Sequence, residues 1–374
     1  MISLTQIIVQ RGKVFIALWS LLMILVFYGM GKVAVALVSE YAATAKARHG
    51  EYLNTQAAKS EQTPGEMTLP PGVSPRKVTV GFFLDRIISL SLPESNWSAT
   101  VYVWFKWKGD DIDPGETFKI VDGDIEVEGK EKLDESTQGD EHYALYRLYA
   151  TFTKFFDVSR FPLDDHVLNI AIEDQSKTWD QLEYVPDTAN TNISSRVKIT
   201  GFKFYKTALT VKPHAYKTNF GNTRLGNGRA VYSQLTYAMG YSRPGMGFYC
   251  KIFVGMYSAV LIAILGFFFV PTDSNRISLS IGGFFGAVAS MLVYTTAIPQ
   301  VGMITLMDMI NSVGLITVFL TAVQSTMALH LYELWKNATL SRWFDRISLA
   351  IFSIGYLVIN IWVPMVAFTP EGGG

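Results

Sequence analysis

Residues 278–296 are apolar over the length of a helix, yet one side of that helix is too small and too polar to face lipid. Ser278, Gly282, Phe285, Ala289, Leu292 and Thr296 recur at steps of four, three, four, three and four, which at 3.6 residues per turn forms one stripe. The opposite side is read as a greasy back of Leu279, Phe284, Val288 and Met291. Within hydrocarbon such a front must meet close-packed protein or water. Several copies around an axis would line a pore with it.

This segment belongs to a set. Hydrophobic runs at 14–39, 248–270, 277–298, 301–330 and 347–368 are each long enough to cross roughly 30 Å of hydrocarbon. With 49% hydrophobic residues over 374 positions, the chain is too apolar for an ordinary soluble enzyme. It carries no net charge and no Lys/Arg stripe interleaved with aromatics, so nothing supports nucleic-acid binding. The first run follows Arg11 and Lys13, as a signal peptide would, but a cleavable core is only about 7 to 15 residues, so its length favours an uncleaved anchor. The small residues of 42–47 keep cleavage open. Cys250, the single cysteine, lies in the second run, which predicts a buried structural thiol and excludes an intrachain disulfide. Orientation follows from basic loops: Lys336, Arg342, Arg346 and Arg276 mark the cytoplasmic side, whereas 300–302 and the tail after Phe368 hold no Lys or Arg. Five spans then place the N-terminus inside and residues 40–246 outside.

The organisation reads as a transmembrane anchor (1–39), a helical stalk and Pro-rich linker (40–76), a β domain (77–246) and a four-helix membrane domain (247–374). Between Lys77 and the second run lie short alternating segments such as HYALYRLYATF and HVLNIAIE, punctuated by turn signals including Asp122-Gly123-Asp124 and Gly226-Asn227-Gly228. Such runs predict an all-β sandwich. No Walker loop, GxGxxG, HExxH or CxxC occurs, so nucleotide hydrolysis and zinc proteolysis lack their minimal parts, and no enzyme, cofactor or metal site is expected. The five histidines are scattered, and the acidic group Asp110, Asp111 and Asp113 reads as a solvated turn before it reads as a calcium site.

An extracytoplasmic sandwich followed by four helices, the second bearing a small polar stripe, resembles the pentameric ligand-gated ion channels, in their bacterial branch. The likeness spans about Lys77 to Phe368. Where the family has Phe-Pro-Phe-Asp this chain has Phe161-Pro162-Leu163-Asp164, and the flanking cysteines of animal members are Lys154 and Leu168 here. Arg243-Pro244 with Phe248-Tyr249 matches the entry to the first membrane helix, Ile298-Pro299 the end of the pore helix, and Asp308 an acidic residue early in the next. The resemblance implies an immunoglobulin-like sandwich of about ten strands, a homopentamer in lipid, permeant ions and an agonist of unknown identity, a small molecule, proton or ion.

It also implies roles. Phe285 would be an apolar gate closing the path by dewetting, the alternative being a helix contact. At the cytoplasmic mouth, Asp273, Asn275 and Arg276 match neither the cation-selective Glu nor the anion-selective Pro-Ala, and Asp273 leans the reading toward cations. Arg243, paired with Asp164 and Glu94, would couple the domains, with Phe161, Pro162 and Pro299 marking loops that meet above the pore. The ligand site would lie between neighbouring sandwiches under the hairpin 218–229, with Tyr216, Phe220 and Tyr232 facing Trp107 in an arrangement suited to cationic amines. The family's binding aromatic is Gln175 here, beside Asp174, so a different ligand or simple packing stays open. A nonconducting membrane receptor or scaffold of the same fold is the competing reading.

Overall fold

Period-two alternation and unbroken apolar runs resolve into two units in the computed structural model, which describes residues 4–53, 69, 72–221, 229–243, 246–293, 298–299, 302–335 and 338–368, with backbone alone over 4–9 and at 335. A helical unit collects Met1–Thr44, Val158–Asp164 and Gly245–Gly374, and a strand unit collects Ala45–Asp157 and Asp165–Pro244.

Among the described residues the strand unit holds ten strands: β1 (Arg76–Ser91), β2 (Asn96–Lys108), β3 (Phe118–Ile120), β4 (Gly123–Gln138), β5 (Glu141–Thr153), β6 (Asp165–Asp174), β7 (Leu182–Pro186), β8 (Asn192–Ile193), β9 (Lys203–Ala215) and β10 (Val231–Ser242). One sheet runs β4-β5-β2-β1-β7 with β8 also on β1, and the other runs β3-β6-β10-β9. Both β7 and β8 lie parallel to β1, so the first sheet is mixed. Alternation dictates which face is buried: along β5, Ala144, Tyr146, Leu148, Ala150 and Phe152 point inward while their neighbours are half-buried. The sheets meet through aromatic rings, Phe82 stacking on Tyr237 at 5.7 Å and Phe105 lying 5.1 Å from Phe118. Each fully buried ring of this size contributes roughly 1.5–3 kcal/mol.

Among the described residues the long helices are α1 (Leu4–Leu53), α2 (Met246–Leu265, closed by a 3-10 turn over Gly266–Phe268), α3 (Asn275–Leu292), α4 (Leu306–Trp335) and α5 (Ala338–Ala367). The anchor and the start of the stalk are one unbroken α1. Its apolar portion packs on α5 by aromatic contacts, with Phe27 5.4 Å from Phe352 and Phe15 6.0 Å from Phe344. Gly355 is required there, since a Cβ would stand 2.6 Å from the Phe27 ring. Beyond Thr44 the same helix belongs to the strand unit, where Arg48 pairs with Asp157 at 3.0 Å, His49 with Asp165 at 3.0 Å, and Leu53 joins a core of Val167, Ala208 and Ala238.

Among the described residues four helical stretches are long and apolar enough to cross a membrane: Gln10–Leu53, Met246–Phe268, Leu306–Leu334 and Ala338–Ala367. Their outer faces carry exposed Leu18, Leu25, Val254, Leu261, Ile354 and Leu357, a surface that hydrocarbon covers at no cost and water does not. Of the expected span at 277–298, residues 294–297 lie outside the described residues, and the described helix α3, which starts at Asn275 and Arg276, is not among these four stretches. Cys250 is exposed, not buried as expected, because α2 buries the side bearing Tyr249, Phe253, Met256 and Val260.

One close approach in the strand unit gives a direct check. A Cβ on Gly81 would lie 2.2 Å from the Trp104 ring, whose indole N–H donates to Asp187 at 3.0 Å. Gly81→Ala is expected to displace Trp104 and cost about 1–3 kcal/mol, read as a lower midpoint in thermal unfolding followed by tryptophan fluorescence.

Candidate functional site

Helix α3 turns two small-residue stripes in opposite directions. Arg276, Ser280, Gly283 and Ala287 are buried against this chain's own helices. Glycine is needed at 283, because a Cβ there would stand 2.7 Å from the Ala259 carbonyl oxygen of α2, and Ser280 shares a 3.2 Å hydrogen bond with Thr321 of α4. At about 100° per residue the stripe of Ser278, Gly282, Phe285, Ala289 and Leu292 lies about 180° away, and all five are exposed, Phe285 by 67%. Thr296 lies outside the described residues. The supposed greasy back is corrected: Leu279, Val288 and Met291 are half-buried and Phe284 exposed, so they flank the helix and the packed side is the second small stripe.

The helix begins with a buried ion pair. Arg276 is 1% exposed and its guanidinium grips Asp345 of α5 at 2.7 and 3.0 Å. A fork-to-carboxylate pair of this kind neutralises the Arg276 charge inside the helical unit. Asn275 is exposed and Asp273 half-buried, with the Asp273 carboxylate accepting the Asn275 backbone N–H at 2.9 Å.

The segment Val158–Asp164, flanked in sequence by strands, belongs to the helical unit. Its Ser159 carbonyl accepts the Leu306 N–H at 2.8 Å, Arg160 donates to the Ala367 carbonyl at 3.4 Å, and the Phe161 ring lies 6.1 Å from Phe248. Phe161, Pro162 and Asp164 are buried, and Pro299 is half-buried in the same unit. Glu94 and Arg243 are in the strand unit, Glu94 exposed at the β1–β2 turn and Arg243 stacked 4.3 Å over the Phe202 ring. Ser159 and Arg160 went unread in the sequence, where only the Phe-Pro pair gave a signal. Lys154, at one of the positions where animal relatives of the resembled family carry a cysteine, instead donates to Asn169 at 2.6 Å and lies 4.9 Å over the Tyr52 ring.

The expected ligand residues separate into three places. Tyr216, Phe220 and Tyr232 come together, with Tyr216 5.0 Å from Phe220 and 5.7 Å from Tyr232. Asp174 is buried and already engaged, accepting from Ser176 N–H, Lys177 N–H and the Thr117 hydroxyl, which makes it a loop fastener. Gln175 is exposed and donates to the Phe118 carbonyl at 3.3 Å. Trp107 is not with them: it stacks on His142 at 5.3 Å in a separate groove lined by Arg76, Lys106 and Tyr143. Beside the tyrosines stand residues the sequence did not flag. Glu173 is fully buried and accepts from the Tyr216 hydroxyl at 2.8 Å, Gln234 at 2.9 Å and His214, with the Lys119 ammonium at 3.5 Å. Burial, and then the bond to Glu173, push the Tyr216 hydroxyl well above its ordinary value, so it serves as a neutral donor. The described residues contain no cluster able to hold a metal ion.

In comparisons with known proteins the chain matches no protein-family model and no curated protein.

Two outcomes follow. Arg276→Leu is expected to cost about 3–5 kcal/mol by stranding Asp345, and Arg276→Leu with Asp345→Leu to recover most of it, read by thermal unfolding in detergent. Burial lowers the Lys154 ammonium from 10.5 to about 8. Between those values the unfolded chain holds a proton the folded one has released, so stability rises with pH across that window, by an amount on the order of 3 kcal/mol. In Lys154→Met that rise is expected to vanish from a plot of unfolding midpoint against pH.

Proposed function

We propose that this chain is one subunit of a homopentameric ligand-gated ion channel in the bacterial inner membrane. In this reading the strand unit is an immunoglobulin-like sandwich on the extracytoplasmic side, the N-terminus is cytoplasmic, and an extracytoplasmic signal opens the path. One observation carries it: the stripe of Ser278, Gly282, Phe285 and Ala289 is exposed on a helix whose other side is packed at backbone contact, and three of these four residues are too small to have been selected for lipid. Around a five-fold axis it becomes the wall of a pore, and Phe285 a ring of phenyl groups that excludes water when narrow.

The charges near the mouth support cations. Arg276 is spent on Asp345, so the ring set at the start of α3 is the Asp273 carboxylates and the uncharged Asn275. Carboxylate rings favour cations. Coupling has a physical carrier in Val158–Asp164, a connector between strands β5 and β6 that is bonded to the starts and ends of membrane helices through Ser159 and Arg160. A change in strand packing is thereby passed to α4 and α5 as a displacement of rigid elements.

Recordings from purified protein in planar bilayers test this. Wild type is expected to give unitary currents on stimulation, and Phe285→Ala to raise the unstimulated open probability about tenfold, the effect of roughly 1.4 kcal/mol on the closed state. Silence from both, across pH and candidate ligands, would leave a nonconducting receptor or scaffold as the better account, and particles without five-fold symmetry in electron microscopy would remove the pore altogether.

A further inference from the structure

We infer that the tyrosine box of the strand unit is occupied from within, the Lys119 ammonium standing where a cationic amine would sit and so deciding which ligands the box accepts. This deepens the reading of Tyr216, Phe220 and Tyr232 as a ligand site and rests on it.

The position of the ammonium is set by backbone pairing. Strand β3 is only three residues long, and its register on β6 puts Lys119 directly opposite Glu173. Cross-strand partners on one face stand within side-chain reach. The ammonium accordingly lies 5.3 Å from the Tyr216 ring centre and 5.4 Å from that of Tyr232, inside the range at which a cation is held by aromatic faces, and 3.5 Å from the buried Glu173 carboxylate. It also donates to the Tyr216 hydroxyl at 3.4 Å. Two aromatic faces and a carboxylate are the chemistry that recognises an alkylammonium ion, and here the ion is already present on a tether.

The tether has a consequence for ligands. A side chain attached to the site competes at an effective concentration in the millimolar range or above, so a free monoamine offering only its ammonium gains nothing by entering. The Lys119 side chain is 34% exposed, and the box is open at the exposed Phe220, so displacement requires no unfolding. Ligands that succeed must bring further contacts beyond the ammonium. Lys119 is in this sense a specificity-determining residue, and removing its charge converts a closed site into a general alkylammonium site.

Calorimetry on the full-length protein in detergent tests it, with choline as the probe and its uncharged carbon isostere 3,3-dimethylbutan-1-ol as the control. Lys119→Met, which keeps the length and loses the charge, is expected to bind choline at least about tenfold more tightly than wild type. The isostere should gain nothing, and Lys119→Arg should behave as wild type. Equal choline affinity in wild type and Lys119→Met overturns the inference, as does an equal gain for the isostere or a gain that survives Tyr232→Leu in the Lys119→Met background. Should Lys119→Met not fold, carbon-13 reductive methylation of the wild type decides: the Lys119 resonance, identified by its loss in Lys119→Arg, should be shifted upfield by the rings, and a resonance at the free-lysine position overturns the inference. Because these readouts involve no current, a choline gain in a protein that never conducts would sink the channel reading alone, and currents without that gain would sink only the tethered ammonium.

Discussion

The approach of α3 to α2 at Gly283, where even a methyl group would press to 2.7 Å on the Ala259 carbonyl, is the constraint on which the helical unit depends. Helix association within lipid has no hydrophobic drive, so it relies on packing contacts and on the closeness that small residues permit. That contact, with the Ser280–Thr321 hydrogen bond and the Arg276–Asp345 pair, fixes the rotation of α3 about its own axis at three heights. Rotation is what matters functionally. A turn of about 100°, one residue's worth, would bring flanking Phe284 or Val288 to where Phe285 and Ala289 now stand.

Polar contacts elsewhere take positions where a covalent or apolar device would serve stability better. Lys154 lies half-buried between Asn169 and the Tyr52 ring, and its lowered ammonium measures what burial costs there. Arg276 and Asp345 bear a comparable desolvation penalty, offset by two short bonds of good geometry. Such pairs add little to net stability over leucines, but each is made in one register only. They are well suited to elements whose orientation must be unique.

Much of this was legible in the chain because it rests on local pattern. The alternation of Ala144, Tyr146, Leu148, Ala150 and Phe152 predicts a strand with a buried face, and the four-three steps from Ser278 to Leu292 predict one helical side; both patterns appear as such. The rest depends on pairings far apart in sequence. Asp345 is 69 residues from Arg276, so nothing near Arg276 announces that its charge is spent. Glu173 and Lys119 meet through a three-residue strand too short to recognise, and Trp107 was grouped with the tyrosines because composition does not say which sheet a strand joins. The second small stripe on α3 was overlooked for a related reason: serines, glycines and alanines suit a water-filled path and a tight helix contact equally, and only the partner helix tells them apart.

That ambiguity also bears on why the tyrosine box is built as it is. An empty box of Tyr216 and Tyr232 would leave the buried Glu173 carboxylate with its bonds to Tyr216, Gln234 and His214 but without the Lys119 ammonium beside it. Lys119 supplies that positive charge within the resting chain. Any cation that enters must therefore replace a partner before it gains one, and the free energy available to drive a conformational change is the difference between the two, not the whole of the new contact. A site built this way responds to ligands that exceed a fixed internal standard, and the register of β3 on β6 holds that standard in place.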